Sequence, residues 1–408
     1  MEVTTEKRSQ DVEKSAYPRI SSDLTPVNFG PSHPTMHGAL RVMLGLDGET
    51  IVEAIPEIGY LHRCFEKMSE HRTYHQVIPF SDRLNYASPG MNNVGYAMAV
   101  EKLLGIEIPK RAQYIRVLLC ELSRISDHCL CLGPQLVDLG ALTVYWYLFQ
   151  VREKMYDLIE PLCGARMMTS YTRIGGVAED IPDGWIDRAR EMIKTSKPLL
   201  EDVQGLLNKN RIFIDRTRWI GAISPEDAIS YGFTGPCLRA AGVPYDVRKA
   251  YPYYDYDRFE FDIPLGDNGD TFDRYMVRMK EMYQSIRIVE QVLENLPDGP
   301  IMIDDPKLTL PPKENVYNEI EGLIHHFKII IDGIRPPAGE VYSYTEAANG
   351  ELGFYIVSDG SGQPYRIKVR PPCYAVYQAY GELIKGHLIA DAVAILSSMN
   401  IVAGELDR

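Results

Sequence analysis

The chain has 408 residues, 45% hydrophobic, 24% charged and 10% aromatic, a composition that excludes disordered, collagen-like and disulfide-miniprotein classes. With 43 Lys and Arg against 56 Asp and Glu, the net charge is -13. That balance argues against a sequence-independent grip on nucleic acid and for neutral, basic or apolar partners. Seven cysteines, an odd number with no CxxC spacing, point to reduced thiols in a cytosolic compartment.

Residues 1–23 carry mixed charges and no apolar h-region, so they read as a solvated tail rather than an export signal. Three short apolar runs follow, 24–29, 39–46 and 50–55, the last two joined by Asp47-Gly48, a hairpin signal of the type I′ kind. Between the first two runs, residues 30–38 hold two glycines, two prolines and two histidines, which predicts a stiff, defined loop. An imidazole held beside Gly38 on such a turn could face a cavity, although a capping or core histidine is the plainer reading. From 61 to about 206 the apolar spacing is helical, with helices expected over 92–104, 109–131, 141–162 and 186–206, the natural contents of a bundle. The stretch 139–149, the longest nearly apolar one, is too short to span a bilayer, so membrane association would go through partners.

Residues 207–270 are rich in Gly, Pro, Tyr and Asp, with weak helical signals only at 225–230 and 235–241. A long helix over 271–293 ends at Leu296-Pro297-Asp298-Gly299-Pro300. A proline-rich crossing, a helix near 316–331, strands at 341–344, 352–358 and 365–369, and helices at 375–385 and 389–399 complete the chain. The expected architecture is α+β and mostly helical: a tail (1–23), an N-terminal β region (24–60), a helical core (61–300) and a C-terminal α+β region (301–408), packed as one interleaved unit.

Several short patterns carry little chemistry alone. His71 and His75, four apart, would share a helix face beside Glu66 and Glu70, but HRTYH lacks the inner Glu of HExxH, and a solvated or packed face is the plainer reading. Cys129 and Cys131 fall on different sides of a helix, and no four-Cys cluster spacing exists. Gly175-Gly176 is no phosphate loop. The five tyrosines of 245–256, with Arg248 and Lys249, suggest hydroxyl-anchored packing at an interface.

At Asn28-Phe29-Gly30-Pro31-Ser32-His33-Pro34-Thr35-Met36-His37-Gly38 the sequence resembles the 49-kDa subunit family of respiratory complex I, the proton-pumping NADH:quinone oxidoreductase. Further matches run in the same order: Glu57-Ile58-Gly59-Tyr60-Leu61-His62-Arg63, Glu70-His71-Arg72-Thr73-Tyr74, Asp82-Arg83-Leu84-Asn85-Tyr86, Arg173-Ile174-Gly175-Gly176-Val177, Asp246-Val247-Arg248-Lys249-Ala250-Tyr251-Pro252, Gly350-Glu351-Leu352-Gly353 and Gly404-Glu405-Leu406-Asp407-Arg408. Together they cover about residue 25 to the end. The family's fold is similar to the large subunit of nickel-iron hydrogenases, whose metal is held by two CxxC pairs. Those pairs are missing here, so the resemblance implies a hydrogenase scaffold whose metal pocket has become a quinone pocket, with no metal held by this chain.

By that resemblance His37 and Tyr86 would hydrogen-bond the two carbonyl oxygens of the quinone and Asp138 would hold His37, with His33 and Met36 belonging to the same quinone loop. Reduction takes two electrons and two protons, and developing oxyanions need aimed donors. No cofactor would be bound by this chain alone. Electrons would arrive from the terminal iron-sulfur cluster of a neighbouring subunit, near Arg63 and Arg83, with FMN and NADH bound in other subunits and NAD(H) not by this chain. The resemblance also implies contact with a 30-kDa subunit and a quinone-channel membrane subunit, and a peripheral place on the cytoplasmic face of a bacterial inner membrane. The quinone could be menaquinone or ubiquinone. Two positions depart from many family members: Asn85, commonly Asp, and Met168, commonly a histidine thought to couple cluster reduction to protonation. A thioether there implies a lower, less pH-dependent cluster potential. Rival readings are the equivalent subunit of a complex using ferredoxin or another donor, a hydrogenase-type metalloenzyme, and a scaffold that only docks the cluster-bearing neighbour.

Overall fold

Three antiparallel strands, β1 (Thr25–Phe29), β2 (Arg41–Asp47) and β3 (Thr50–Glu57), form the first sheet in the order β1-β2-β3. The computed structural model describes residues 20–408; the expected tail lies outside the described residues up to residue 19. Residues 20–23 form a turn whose Ser21 backbone N–H donates to Glu53 on β3 at 3.1 Å. The β2–β3 hairpin pairs Asp47 with Thr50, so Gly48 and Glu49 are its central residues, and only Gly48 has positive φ (62°). This is not the expected type I′ turn, which needs positive φ at both.

The helices then run α1 (Phe65–Ser69), α2 (Tyr74–Ser81), α3 (Pro89–Leu104), α4 (Lys110–Asp138) and α5 (Leu142–Cys163). A minimal pair, β4 (Thr172–Arg173) and β5 (Gly176–Val177), precedes α6 (Trp185–Leu207) and the short α7 (Arg211–Asp215), α8 (Pro225–Ser230), α9 (Gly235–Ala240) and α10 (Val247–Ala250). The long α11 (Thr271–Glu294) follows, starting at Asp270, whose side chain accepts from the Asp273 N–H at 2.8 Å. The expected helix near 316–331 is two pieces, α12 (Lys313–Asn318) and α13 (Ile320–Asp332), because Glu319 between them is extended. A second three-stranded antiparallel sheet, β6 (Gly339–Ala347), β7 (Gly350–Ser358) and β8 (Arg366–Arg370), leads to α14 (Pro372–Leu383), α15 (Ile389–Met399) and α16 (Ala403–Asp407).

The fold is therefore α+β, helical at its centre with small antiparallel sheets towards both ends. Helix α4 is the axis: α5, α11, α3 and α15 all pack on it. Its apolar side builds the largest core with α5, α6 and α11. A second core joins β1–β3 to α14–α16, so the two ends of the chain share one interior. A third lies between α2, α3 and the C-terminal sheet. Of the five tyrosines of 245–256, Tyr253, Tyr254 and Tyr256 face the interior, where Tyr256 donates to Glu121 at 2.7 Å. Tyr251 is the exposed one.

Candidate functional site

The loop between β1 and β2 is fixed by backbone geometry. Gly30 has φ 91°, and a Cβ there would lie 1.9 Å from the Leu40 carbonyl oxygen, so only glycine fits. The peptide Gly30-Pro31 is cis. A 3₁₀ turn, Pro34–Met36, follows; His33 caps it, its Nδ1 lying 3.3 Å from Thr35 N and 2.7 Å from Thr35 Oγ1. Met36 is fully buried and anchors the turn, which packs against α15. The next residue, His37, takes the left-handed conformation (φ 53°, ψ 27°), a region that His visits more readily than most residues.

His37 Nε2 lies 2.6 Å from Asp138 Oδ2. Asp138 is the last residue of α4, which continues seven residues beyond the expected end at Cys131. No break occurs at Gly133-Pro134. Gly133 lets α5 approach, a Cβ there being 2.8 Å from Phe149 Cε2, and Pro134 stays within the helix. Gly140, with φ 86°, then ends it, donating to Val137 O at 2.9 Å. The imidazole thus meets the carboxylate carried by the last residue of a long helix.

Tyr86 comes from the turn between α2 and α3. Asn85 shapes that turn: its Oδ1 accepts from Ala87 N (3.0 Å), its carbonyl accepts from Asn92 (2.8 Å) and its amide donates to Asp127 of α4 (2.9 Å). Burial, with Cys373 and Asp127 nearby, raises the phenol pKa, while Arg63 opposes the rise. The Tyr86 hydroxyl is stabilised in its protonated, donating form.

His37, Asp138, Tyr86 and Met36 line one cavity of about 560 Å³. The rest of its wall is mainly apolar, from Leu130, Pro134 and Val137 of α4, Leu142 of α5 and Leu396, Ile401 and Val402 near the C-terminus. A cavity of this size with few, convergent polar groups suits an apolar ring that carries two acceptor oxygens. Asn400, in the left-handed conformation after α15, adds an amide to the wall. The C-terminal lining residues carried no local sequence signal, since they enter the site only because β1–β3 and α14–α16 share a core.

His33 is exposed, stacks near Phe29 (4.8 Å between rings) and does not line the cavity. Arg63 and Arg83 sit together beside Tyr86, and neither lines the cavity. Arg63 donates to the Arg83 carbonyl, and burial and the second guanidinium lower its pKa while Tyr86 acts in the opposite sense. Arg83 also donates to Pro79 O at 2.6 Å and lies 3.7 Å from the buried Asp82. Asp82 accepts from Ser170 Oγ at 2.5 Å, which ties the segment containing Met168 to this side of the molecule.

His71 and His75 do not share a helix. Thr73 starts α2 with a capping box to Gln76, so His71 lies before the helix and His75 in its first turn. Among the described residues no group of three His, Cys, Asp or Glu side chains is placed to hold a metal ion. Cys129 faces the largest core, 3.7 Å from Met282 Sδ, whereas Cys131 lines the cavity.

Comparison with known proteins agrees in family. The family model described as respiratory-chain NADH dehydrogenase, 49 Kd subunit, matches residues 138–408. The C/D subunit of NADH-quinone oxidoreductase from Bdellovibrio bacteriovorus is 57% identical over 389 residues, 95% of this chain and 70% of that protein. The D subunits of the same enzyme from Geotalea uraniireducens and Geobacter sulfurreducens are 50% and 51% identical over 388 residues, each across 95% of this chain and their full length. The chain belongs to the 49-kDa subunit family of the respiratory-chain NADH dehydrogenase.

Proposed function

We propose that this chain is the quinone-reducing subunit of a multisubunit NADH:quinone oxidoreductase, with His37 and Tyr86 as the two donors to the quinone and Asp138 as the residue that orients His37. The observation that carries this reading is the convergence of the three side chains on one mainly apolar cavity. Quinone plus two electrons and two protons gives quinol. Asp138 engages His37 Nε2, which leaves Nδ1 free to give a proton to one quinone oxygen while the carboxylate offsets the charge of the imidazolium. Tyr86 gives its hydroxyl proton to the other oxygen. The apolar walls exclude water from the charge that develops there.

The two electrons would come from an iron-sulfur cluster of a partner subunit, and Arg63 and Arg83 supply positive charge on the Tyr86 side of the cavity that would favour the reduced state of a nearby acceptor. The exposed apolar residues Val137 and Leu142 at the cavity wall offer an entrance for an apolar quinone tail. No described helix is long and apolar enough to cross a membrane, so the quinone would be delivered through a membrane partner, with this chain peripheral on the cytoplasmic side and its turnover coupled to proton translocation elsewhere in the complex. The double C/D designation of the Bdellovibrio relative favours a C-type neighbour alongside this chain.

In the assembled complex, His37→Ala and Tyr86→Phe are each expected to lower quinone reductase activity about 100-fold, the usual worth of a positioned acid. Reduction of an artificial acceptor by NADH should be unchanged. Full turnover with short-chain quinones in both variants would refute the assigned roles.

A further inference from the structure

A chain of buried polar groups leads from the cavity to a carboxyl group that quinone reduction by His37 and Tyr86 does not use. Asn400 of the cavity wall donates to Asp127 Oδ1 at 2.7 Å and to Asn349 Oδ1 at 2.5 Å. Asn349 donates to Cys373 Sγ at 3.3 Å, and the Cys373 backbone N–H donates to Glu405 Oε1 at 3.0 Å. Glu405 is fully buried, and its second oxygen, Oε2, has no partner among the described residues. Cys373 and Asp127 also act electrostatically on Tyr86, which lines the same cavity as Asn400.

An ionised carboxylate with an unpartnered oxygen is costly in an interior, and a second carboxylate close by raises the cost. The groups facing Glu405 are Cys373 of α14, Asp127 of α4 and Asn349 between β6 and β7, while the Arg63 guanidinium reaches the neighbouring Gly404 carbonyl at 3.4 Å. Burial and Asp127 outweigh the Cys373 and Asn349 hydrogen bonds, and the carboxyl is pushed up to about 7. Burial and Glu405 together keep the Cys373 thiol protonated.

We propose that Glu405 holds the proton that restores Tyr86 after each turnover, passing it through the Cys373 thiol, whose Sγ lies 3.5 Å from the Asn400 carbonyl oxygen. This rests on Tyr86 being a proton donor to the quinone. The Tyr86 O–H bond breaks as a quinol O–H forms, leaving a phenolate. The Cys373 S–H bond then breaks as the Tyr86 O–H re-forms, the sulfur takes the proton of the Glu405 O–H in the same movement, and the carboxylate regains a proton from solvent. Both electrons come from the NADH-driven partner subunits, so no other reductant is needed. Glu405 acts through Tyr86 and is a positioning residue for its protonation state.

The test uses the assembled complex with Glu405→Gln, which keeps the size and the acceptor for the Cys373 N–H, and Glu405→Asp, which keeps the acid. The polypeptide composition of the purified complex and NADH reduction of an artificial acceptor report assembly. Glu405→Gln is expected to lower quinone-reductase kcat about tenfold or more, with little change in KM, and to abolish the decline in kcat as pH rises through 7. Glu405→Asp should restore part of both. An unchanged kcat and pH profile in Glu405→Gln overturns the proposal. If Tyr86→Phe is itself fully active, the donor role of Tyr86 fails instead. Time-resolved infrared spectra of the unmodified complex need no variant: a transient loss of a protonated-carboxyl band during quinone reduction near pH 7 is expected, and its absence counts against Glu405.

Discussion

At the scale of single residues, the site depends on side chains held in unusual states. His37 is presented by a left-handed backbone, which lets a β1–β2 connection aim an imidazole at the end of a helix 101 positions away. Asn85 matters as a donor: its amide meets the Asp127 carboxylate, and an aspartate there would place two carboxylates in contact and force one to hold a proton. His75 illustrates the opposite pressure. Burial, with Arg173 nearby, lowers its pKa from 6.5 to about 4, and its Nε2 has no partner among the described residues. The unfolded chain takes up this proton near pH 6.5 and the folded chain only near 4. The stability is therefore complete above 6.5 and is lost as pH falls through that window, by about 3 kcal/mol in all. In His75→Gln the acid-side decline of the unfolding midpoint should be shallower by that amount, and an identical pH slope in both proteins would exclude this assignment.

At the scale of elements, α4 and the β1–β2 loop set the geometry together. The sequence pattern shows a long helix after Pro109, but its end could not be read from Gly133-Pro134, because a Pro-containing pair usually marks a boundary. Contact with Phe149 of α5 and the Gly140 turn decide the last residues, and with them the position of Asp138. The loop was more legible: its glycines and prolines announce a fixed path, and Gly30 is the position where that path leaves no room for a Cβ. Gly30→Ala is expected to cost about 2–3 kcal/mol, since the left-handed strain and the clash with the Leu40 carbonyl add. A loss of quinone reductase activity should accompany the lowered unfolding midpoint, because the same loop carries His37; wild-type stability would show that the strands shift to accommodate the methyl.

At the scale of the whole molecule, buried charge holds the layers in register. Arg239 of α9 pairs with Glu281 of α11 at 2.7 Å and Glu346 of β6 at 2.8 Å, and Arg248 pairs with Asp246 at 2.7 Å and with Glu121 of α4 at 3.1 Å. His128 of α4 joins through Glu281 at 2.8 Å. Arg239→Ala would leave Glu281 and Glu346 without their shared cation and is expected to cost about 3–5 kcal/mol, the range for removing one partner of a buried pair. Denaturant unfolding of the variant checks this, and a loss below about 1 kcal/mol would mean that the carboxylates simply take up protons.

By itself the sequence determined the helix periods, the stiff histidine loop, the absence of paired CxxC ligands and, through its colinear motifs, the family. Those properties are local, or are carried by residue identity. Which residues meet was decided only in three dimensions. His37, Tyr86 and Asp138 come from three distant segments, and Asn400 and Glu405 join them because the first sheet and the last helices bury their apolar faces in one core. Burial then sets the chemistry, since the same carboxyl group that would be ionised on a surface holds its proton near neutrality in that interior.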